Sequence, residues 1–315
     1  MNTVEKLLSH PDRVAKLVNG EMPVPIMVDI DPVDGICNLD CVWCCQKLSR
    51  DSRKPQVMER FIMQSLGQFC ADWGVKAWRI SGDSEPLLHP NIECLISSGY
   101  DAGIKMGLIT NGILLDKLSI SDLSKLSWIG VSLDAGCEET WQLVKGGKDG
   151  DWNRIINGVR SIKERMPGFD IALKYLKFDS KANCSHLCKE RQVSNYSDLP
   201  KFQKLASDLG VRTIIKEAYK IGDFPKFNEC VVTPFGGVFD AYRNFHLCCD
   251  RRFSTPLTDD FTRDAWGELP RLWGGEKHHE LISSIDPSKC SMCAKKAQNE
   301  ALLSIMKPTE DIHFV

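Results

Sequence analysis

Cysteine is the residue type that stands out, with fourteen in a chain of 315 residues. Cys37, Cys41 and Cys44 fall in one short stretch with the spacing C-x3-C-x2-C, directly after an apolar run that reads as a strand. Three thiolates on one loop can wrap a single soft metal centre, and thiolates are the ligands that iron–sulfur clusters take. Three ligands also leave one iron of a four-iron cube open. The same residues fit a zinc site lacking its fourth ligand, or buried free thiols acting as small hydrophobes. Cys45 lies outside the spacing and reads as a non-ligand.

A second set follows far downstream. Cys290 and Cys293 form C-x2-C, while Cys230 and Cys248 bracket residues 231–247, which read as a hairpin turning at Pro234-Phe235-Gly236-Gly237. Together these make a four-thiolate site, which a structural zinc would also satisfy. Cys248 and Cys249 are neighbours, and in an extended segment they point opposite ways, so one of them ligates; Cys248 is the choice. Cys249 is then a free thiol, either inert or a hydrogen-atom donor. Cys70, Cys94 and Cys137 read as core or incidental. Cys184 and Cys188, with His186, lie in a polar insertion that reads as a lid. His278 and His279 read as a solvated helix start.

The elements that must position these residues alternate. Strand-like runs at 26–30, 77–80, 105–110, 128–133, 171–176 and 211–216 are separated by helix-like stretches at 58–73, 90–102, 114–126, 151–165 and 199–209. Six strands alternating with helices imply right-handed crossovers and a parallel sheet curling toward an open barrel, with ligands at the carboxyl ends of the strands. The expected fold is α/β: a partial (β/α)6 TIM-like barrel over 26–217, a helical extension over 1–25, and a small cysteine-rich α+β domain with a C-terminal helix over 218–315.

Charge and hydropathy narrow the class. Lys and Arg number 40 against 42 Asp and Glu, a net charge of -2, which argues against a nucleic-acid surface built on excess positive charge. No run of about 18 apolar residues exists to span a bilayer, and the first residues carry charges where a signal peptide needs an apolar stretch. A cytoplasmic protein with no membrane partner is expected. A reducing cytosol keeps no structural disulfides, so the cysteines point to metal or redox chemistry.

The cysteine loop, with Trp43 just before its third cysteine, resembles the radical S-adenosylmethionine (SAM) superfamily. Ser81-Gly82-Asp83-Ser84-Glu85-Pro86, after the second strand, is similar to the family's glycine-glycine-glutamate-proline motif, which helps bind the methionine amino group. Asp83 and Ser84 stand where glycines are usual, leaving open which of Asp83, Ser84 and Glu85 holds that group. Thr110-Asn111-Gly112 follows the third strand, and Ser132 and Asp134 close the fourth, where the family places SAM-contacting groups. The resemblance spans about Met27 to Glu217. It implies that Trp43, Gly82, Asp83, Ser84, Glu85, Pro86, Thr110, Asn111, Ser132 and Asp134 serve the cofactor. It further implies that a [4Fe-4S] cluster on Cys37, Cys41 and Cys44 chelates SAM through its open iron. Reductive cleavage then yields a 5'-deoxyadenosyl radical that abstracts a hydrogen atom.

Beside such a barrel, the order C-x17-C-x41-C-x2-C resembles the twitch domain, the shortened relative of the SPASM domain. That implies an auxiliary [4Fe-4S] cluster on Cys230, Cys248, Cys290 and Cys293. By analogy with twitch-bearing enzymes of aminoglycoside biosynthesis, the expected reaction oxidises a hydroxyl-bearing carbon of a sugar, aminocyclitol or nucleotide-linked sugar. The auxiliary cluster accepts the electron, and a flavodoxin or ferredoxin-type protein is the reductant. Such a dehydrogenase needs a base for the hydroxyl proton, for which Lys174, Lys216, Glu217 and Arg251 are candidates. The rival readings are epimerisation with Cys249 as hydrogen donor, peptide modification, and a zinc-stabilised binding protein. Peptide modification ranks lower, because only about 25 residues precede the barrel and no leader-binding segment is expected there.

Overall fold

The computed structural model describes residues 2–44, 47–179, 193–218, 227–252, 254–290 and 293–307. An eight-stranded sheet organises them. In chain order the strands of the molecule are β1 Met27–Ile30, β2 Val33–Asp34, β3 Gln56–Val57, β4 Ala77–Ile80, β5 Lys105–Thr110, β6 Trp128–Ser132, β7 Ile171–Lys177, β8 Arg212–Glu217, β9 Gly236–Phe239 and β10 Phe245–His246. The main sheet runs β10-β9-β1-β4-β5-β6-β7-β8. From β9 to β8 all neighbours are parallel, as crossovers through helices require.

The helices form where apolar residues recur on one face. In Arg60–Trp73 the buried set is Ile62, Met63, Leu66, Gly67 and Cys70, and left-handed Gly74 (φ 101°) ends the helix. Gly67 permits a close crossing, since a Cβ there would lie 2.1 Å from the Ser98 carbonyl oxygen of helix Ile92–Asp101. The expected helix over 114–126 is broken into a short turn, Leu115–Lys117, and a helix, Ile120–Lys125, because Ser119 and Asp122 form a capping box that starts the chain afresh. Among the described residues, no helix is long and apolar enough to cross a membrane.

The expected hairpin at 231–247 forms, as the antiparallel pair of β9 and β10, but its expected turn is a correction. Gly236 and Gly237 do not turn the chain; they lie in β9, which pairs with β1 along Met27↔Gly236 to Ile30↔Phe239. Glycine is needed there for close approach, because a Cβ on Gly237 would sit 2.2 Å from the Phe245 ring. The chain reverses instead at Asp240–Asn244, where the Asp240 carboxylate accepts from the amides of Tyr242 and Asn244. Phe239, Phe245, Phe261, Trp73 and Trp273 then meet edge to face and seat this segment on the barrel. At the other side Leu7, Val14, Val232, Phe235 and Leu302 form a small core joining the N-terminal helices to helix Lys296–Met306.

His278 is a second correction. It is fully buried, stacks on Trp273 with ring centroids 4.1 Å apart, and accepts the Gly274 amide at Nδ1. Burial drives its pKa down to about 4. The apolar ring face of a histidine can be read by a core as readily as its charge is read by water.

Candidate functional site

The cysteine loop leaves the carboxyl end of β1 and is fastened at several points. The β2–β3 pair clamps its start, and Gly35 at φ 72° turns the chain where a Cβ would meet the Lys54 carbonyl oxygen at 2.9 Å. The Asp40 and Val42 amides donate to the carbonyls of Lys145 and Val144, laying the loop on the end of helix Glu138–Lys145. Buried Leu39 and Val42 anchor it from beneath, and the three thiols stay half-buried.

Those thiols sit close enough to oppose one another's ionisation. Burial first, and then Cys44 and Cys37, push the Cys41 thiol up to about 12, against the pull of Lys145. Burial likewise raises Cys37. Two cations face the group: Arg50 Nη1 lies 3.6 Å from Cys44 Sγ, and Lys145 Nζ lies 5.0 Å from the Trp43 ring centroid. Lys145 is 1% exposed; burial works against its charge, and Asp134, whose Oδ2 is 2.5 Å away, together with the Cys41 and Cys37 thiols more than offsets it. Half-buried soft ligands ringed by fixed positive charge suit a metal cluster whose thiolates bring net negative charge.

The residues expected around SAM converge beside this loop, and most of their side chains are already engaged. Glu85 accepts from the Leu87 amide at 3.0 Å, Thr110 Oγ1 at 2.7 Å and the Asn111 amide at 2.7 Å. Asn111 Nδ2 reaches across to Asn38 Oδ1 in the cysteine loop at 2.7 Å. Asp83 pairs with Arg53, and Ser84 Oγ accepts from the Ile36 amide and donates to Asp83. Beneath them burial, with Asp31 nearby, lifts Asp34 to about 9, and a hydrogen bond with Asp83 holds its proton. Pro86 opens a short turn, and Gly82 (φ 141°) passes against Asp31. Asp134, at φ 57°, bonds Lys145 and the Leu176 amide, while its carbonyl accepts from the buried Asn195.

Of the candidate bases, Lys174 on β7 faces Ser132, with Nζ 3.5 Å from Oγ. Burial lowers its pKa to about 8, with Arg79 and Lys216 pushing the same way against Asp134. Lys216 is exposed on β8. Glu217 is also exposed and is engaged by Tyr196 at 2.7 Å and Lys177 at 3.2 Å. Residues 184–188 lie outside the described residues.

Reading by spacing missed a buried ionic group under the barrel mouth. Arg252 grips Asp31 through Nε (2.5 Å) and Nη2 (3.1 Å), reaches Asp29 at 3.4 Å, and donates to the Cys249 carbonyl at 2.7 Å. Arg79 completes it, 2.5 Å from Asp29. Asp29 alternates with Val28 and Ile30 in a strand that otherwise looks apolar, the one trace the sequence offers.

The second set of cysteines comes together in space. Cys230, Cys248, Cys290 and Cys293 line one small cavity, which is partly open to solvent. Asn299 holds the Cys230 segment by accepting from Val231 and Val232, and Asp286 caps the turn Pro287–Lys289 before Cys290. Asp250 Oδ2 accepts the Ala294 amide at 2.6 Å, tying the Cys248 segment to the Cys293 segment. The expectation that Cys248 and Cys249 point apart is corrected. The chain enters a 3-10 turn at Cys249, and both sulfurs and an Asp250 oxygen lie within 4.8 Å of one another. Cys249 is buried and is absent from the cavity lining. Thr233 and Lys295 also line it; Thr233 Oγ1 is buried with no hydrogen-bond partner among the described residues, and Lys295 is half-buried. Four thiols brought from three segments to one apolar-walled cavity fit a bound iron–sulfur cluster.

A partial parallel α/β barrel with a three-cysteine loop at the mouth of its first strand defines a class of SAM-dependent iron–sulfur proteins. Residues 33–176, a little under half of the chain, match the radical SAM superfamily. It is 31% identical over 177 residues to a probable GTP 3',8-cyclase of Methanocaldococcus jannaschii, covering 55% of this chain and 53% of that protein. It is 26% identical over 157 residues to the S-adenosyl-L-methionine-dependent tRNA 4-demethylwyosine synthase of the same organism, covering 41% and 50%. The chain thus spans about half the length of these curated relatives. In fold it is similar to Streptococcus suis SuiB bound to S-adenosylmethionine, with a TM-score of 0.61 at 14% identity over 89% of this chain and 73% of that one.

Proposed function

We propose that the protein is a radical SAM oxidoreductase that removes a hydrogen atom from a hydroxyl-bearing carbon of a carbohydrate-like substrate, a nucleotide-linked sugar included. The observation that carries this reading is the pairing of two thiol sets of different size, three on the barrel loop and four around a separate cavity. When bound, a [4Fe-4S] cluster on Cys37, Cys41 and Cys44 supplies the electron and the open iron that let SAM break its carbon–sulfur bond to a hydrogen-abstracting radical. A second cluster on Cys230, Cys248, Cys290 and Cys293, with no open iron, supplies an electron acceptor.

The chain's own residues do the rest. Arg50 and Lys145 balance the charge of the first thiol set. Glu85, Thr110, Asn111 and Asn38 lock the three motif loops together. Because the side chains of Asp83, Ser84 and Glu85 are engaged internally, the backbone of this turn holds the methionine amino group, which is how Asp and Ser stand in for glycine. Lys174 takes the hydroxyl proton: a lysine at about 8 is partly neutral near neutrality, where an ordinary lysine is almost wholly charged, and can act as a base. A flavodoxin or ferredoxin-type protein provides reducing equivalents. Cys249 is buried and turned toward Cys248, which favours oxidation over epimerisation.

The test is an anaerobic incubation of reconstituted protein with SAM, a reductant and candidate sugars deuterated at single carbons. Deuterium should appear in 5'-deoxyadenosine together with a product carrying a new carbonyl. A product with an inverted centre and no net oxidation would replace the dehydrogenase by the epimerase.

A further inference from the structure

The inner face of the barrel sheet can be followed strand by strand. Asp29 on β1 lies beside Arg79 on β4 and Arg79 beside Gly107 on β5; two residues further along, Ile109 lies beside Gly130 on β6 and Gly130 beside Ala172 on β7. Residues paired in register point to one side of a sheet, and side chains alternate along each strand, so Arg79, Lys174 and Lys216 share the face of Asp29. Helices close the other face. A Cβ on Gly99 of helix Ile92–Asp101 would meet the Trp78 ring at 2.7 Å, and Tyr175 packs on Phe202 with ring centroids 4.6 Å apart. Among the described strand residues on the inner face, from β1 to β8, Asp29 is the one carboxylate. It is already shared by Arg79 and Arg252, and Arg252 also holds Asp31. Asp134, beyond the end of β6, is paired with Lys145. Lys174 is left with no ion pair among the described residues, and its Nζ has only the Ser132 hydroxyl at 3.5 Å.

Arg79 is placed to do more than balance Asp29. Its side chain is 35% exposed although Trp78 and Ile80 on either side are buried, and it gives a single N–H, from Nη2, to Asp29. A guanidinium carries five N–H donors in a planar fork, so the rest are without a partner among the described residues. Asp29, itself held by Arg252, fixes that fork in advance. Arg79 is also near enough to Lys174 to press against its charge.

We propose that Arg79 binds an anionic group of the substrate, a phosphate or a carboxylate, on the inner face of the barrel, with Lys174 as the neighbouring positive charge. This deepens, and rests on, the reading of the substrate as a hydroxyl-bearing carbohydrate: it makes that carbohydrate an anion. Two cations against one shared carboxylate leave the face with positive charge to spare, and a guanidinium fork matches two oxygens of a phosphate or carboxylate. A neutral sugar would leave that charge unmatched in a site from which it displaces water. From β4 to β7 there are three strand spacings, roughly 14 Å along the sheet and less across its curve. The anionic group therefore sits several bonds away from the hydroxyl that meets Lys174, as in a sugar phosphate or a nucleotide-linked sugar. Arg79 is a substrate-binding residue and takes no part in moving the proton.

The experiment uses the full chain, reconstituted without oxygen and loaded with SAM, as wild type, Arg79→Gln and Arg79→Lys. Calorimetric titration follows inorganic pyrophosphate and succinate, a phosphate and a carboxylate probe that need no particular sugar. Wild type should bind at least one of them, more weakly as salt rises, and the tighter of the two identifies the anion. Arg79→Gln should weaken that binding roughly ten- to a hundredfold, the range for losing hydrogen bonds to a charged group. Arg79→Lys keeps the charge and loses the fork, so it should fall between the two. Iron per chain and circular dichroism report folding; where the Gln variant fails them, the Lys variant decides alone. No binding of either anion to wild type, or equal binding by wild type and a folded Arg79 variant, overturns the proposal. Deuterium transfer from a neutral sugar to 5'-deoxyadenosine, as fast in Arg79→Gln as in wild type, overturns it too while keeping the carbohydrate reading. Arg79-dependent anion binding in a protein that takes deuterium from no carbohydrate keeps the site and overturns the reading beneath it.

Discussion

The two thiol sites solve opposite problems. The first is carried by one loop, closed over eight residues from Cys37 to Cys44, and its geometry depends on clamps outside it: the β2–β3 pair, the end of helix Glu138–Lys145, and the Glu85 hub. The second draws its cysteines from three segments spread over more than sixty residues, from Cys230 to Cys293, and depends on β9 having joined the main sheet. Three ligands leave a coordination position for a small molecule; four leave none. At the first site Glu85, Thr110 and Asn111 are engaged with one another, yet each site keeps a buried donor with no hydrogen-bond partner among the described residues, Trp43 Nε1 at the first and Thr233 Oγ1 at the second.

The largest effect should come from breaking the open site. Cys41→Ala should abolish SAM cleavage altogether, with bound iron falling by about four per chain, since one lost thiolate leaves a cube with too few anchors. Chromatographic detection of 5'-deoxyadenosine checks it, and cleavage that persists would mean that the cysteine loop does not carry the reaction. Cys290→Ala should also cost about four iron atoms. There, however, SAM cleavage in the absence of substrate should survive while oxidised product disappears. If both variants lose SAM cleavage equally, the division of labour between the two sites is wrong.

Lys174 tests what lies between them. Lys174→Met should lower turnover by roughly 10²- to 10⁴-fold, the range for removing a general base. Because burial depresses its pKa to about 8, the neutral, basic form grows as pH rises, so wild-type activity should climb through about pH 8 and level off above it. The Met variant should lose that limb and keep its affinity for SAM. A variant that instead binds SAM weakly, with an unaltered pH profile, would assign Lys174 and its neighbour Ser132 to the cofactor.

Asp134 bears on the clamps of the first site. Asp134→Asn keeps an acceptor for the Leu176 amide but removes the carboxylate with which Lys145, 1% exposed, is paired. Removing one partner of a buried ion pair costs on the order of 3–5 kcal/mol. Chemical denaturation should record that loss, and the cysteine loop, whose Asp40 amide bonds the Lys145 carbonyl, should become the easiest part of the barrel to proteolyse.

How far this could be read beforehand follows from the range of the interactions. The six barrel strands and the cysteine loop were legible because short apolar runs and C-x3-C-x2-C are local patterns. Ser119-x-x-Asp122 was equally local and went unread, so a broken helix was taken for one. The strand role of Gly236 and Gly237 was hidden because its cause, the Phe245 ring and the β1 backbone, lies elsewhere in the chain. Lys145, Asn195 and Arg252 left no mark at all: a buried lysine at the end of an amphipathic helix has the same letters as an exposed one. The turn that brings Cys249 beside Cys248 depends on the placement of the chain after β10, which alternation along a strand does not describe.

The smallest effect is the most pointed for the choice of base. Glu217 lies on the outer strand, exposed, between Lys177 and Tyr196, an arrangement in which a surface ion pair contributes about 0–1 kcal/mol. Glu217→Gln removes the charge and keeps the size, and it should change the melting temperature by no more than a degree or two and turnover by less than about twofold. Lys216→Met, exposed on the same strand, should behave likewise. A large loss of turnover in either, with iron content intact, would move the proton acceptor from the interior of β7 to the barrel's edge strand. The substrate would then have to sit against β8, with its hydroxyl directed away from Lys174 and toward the outer rim of the mouth.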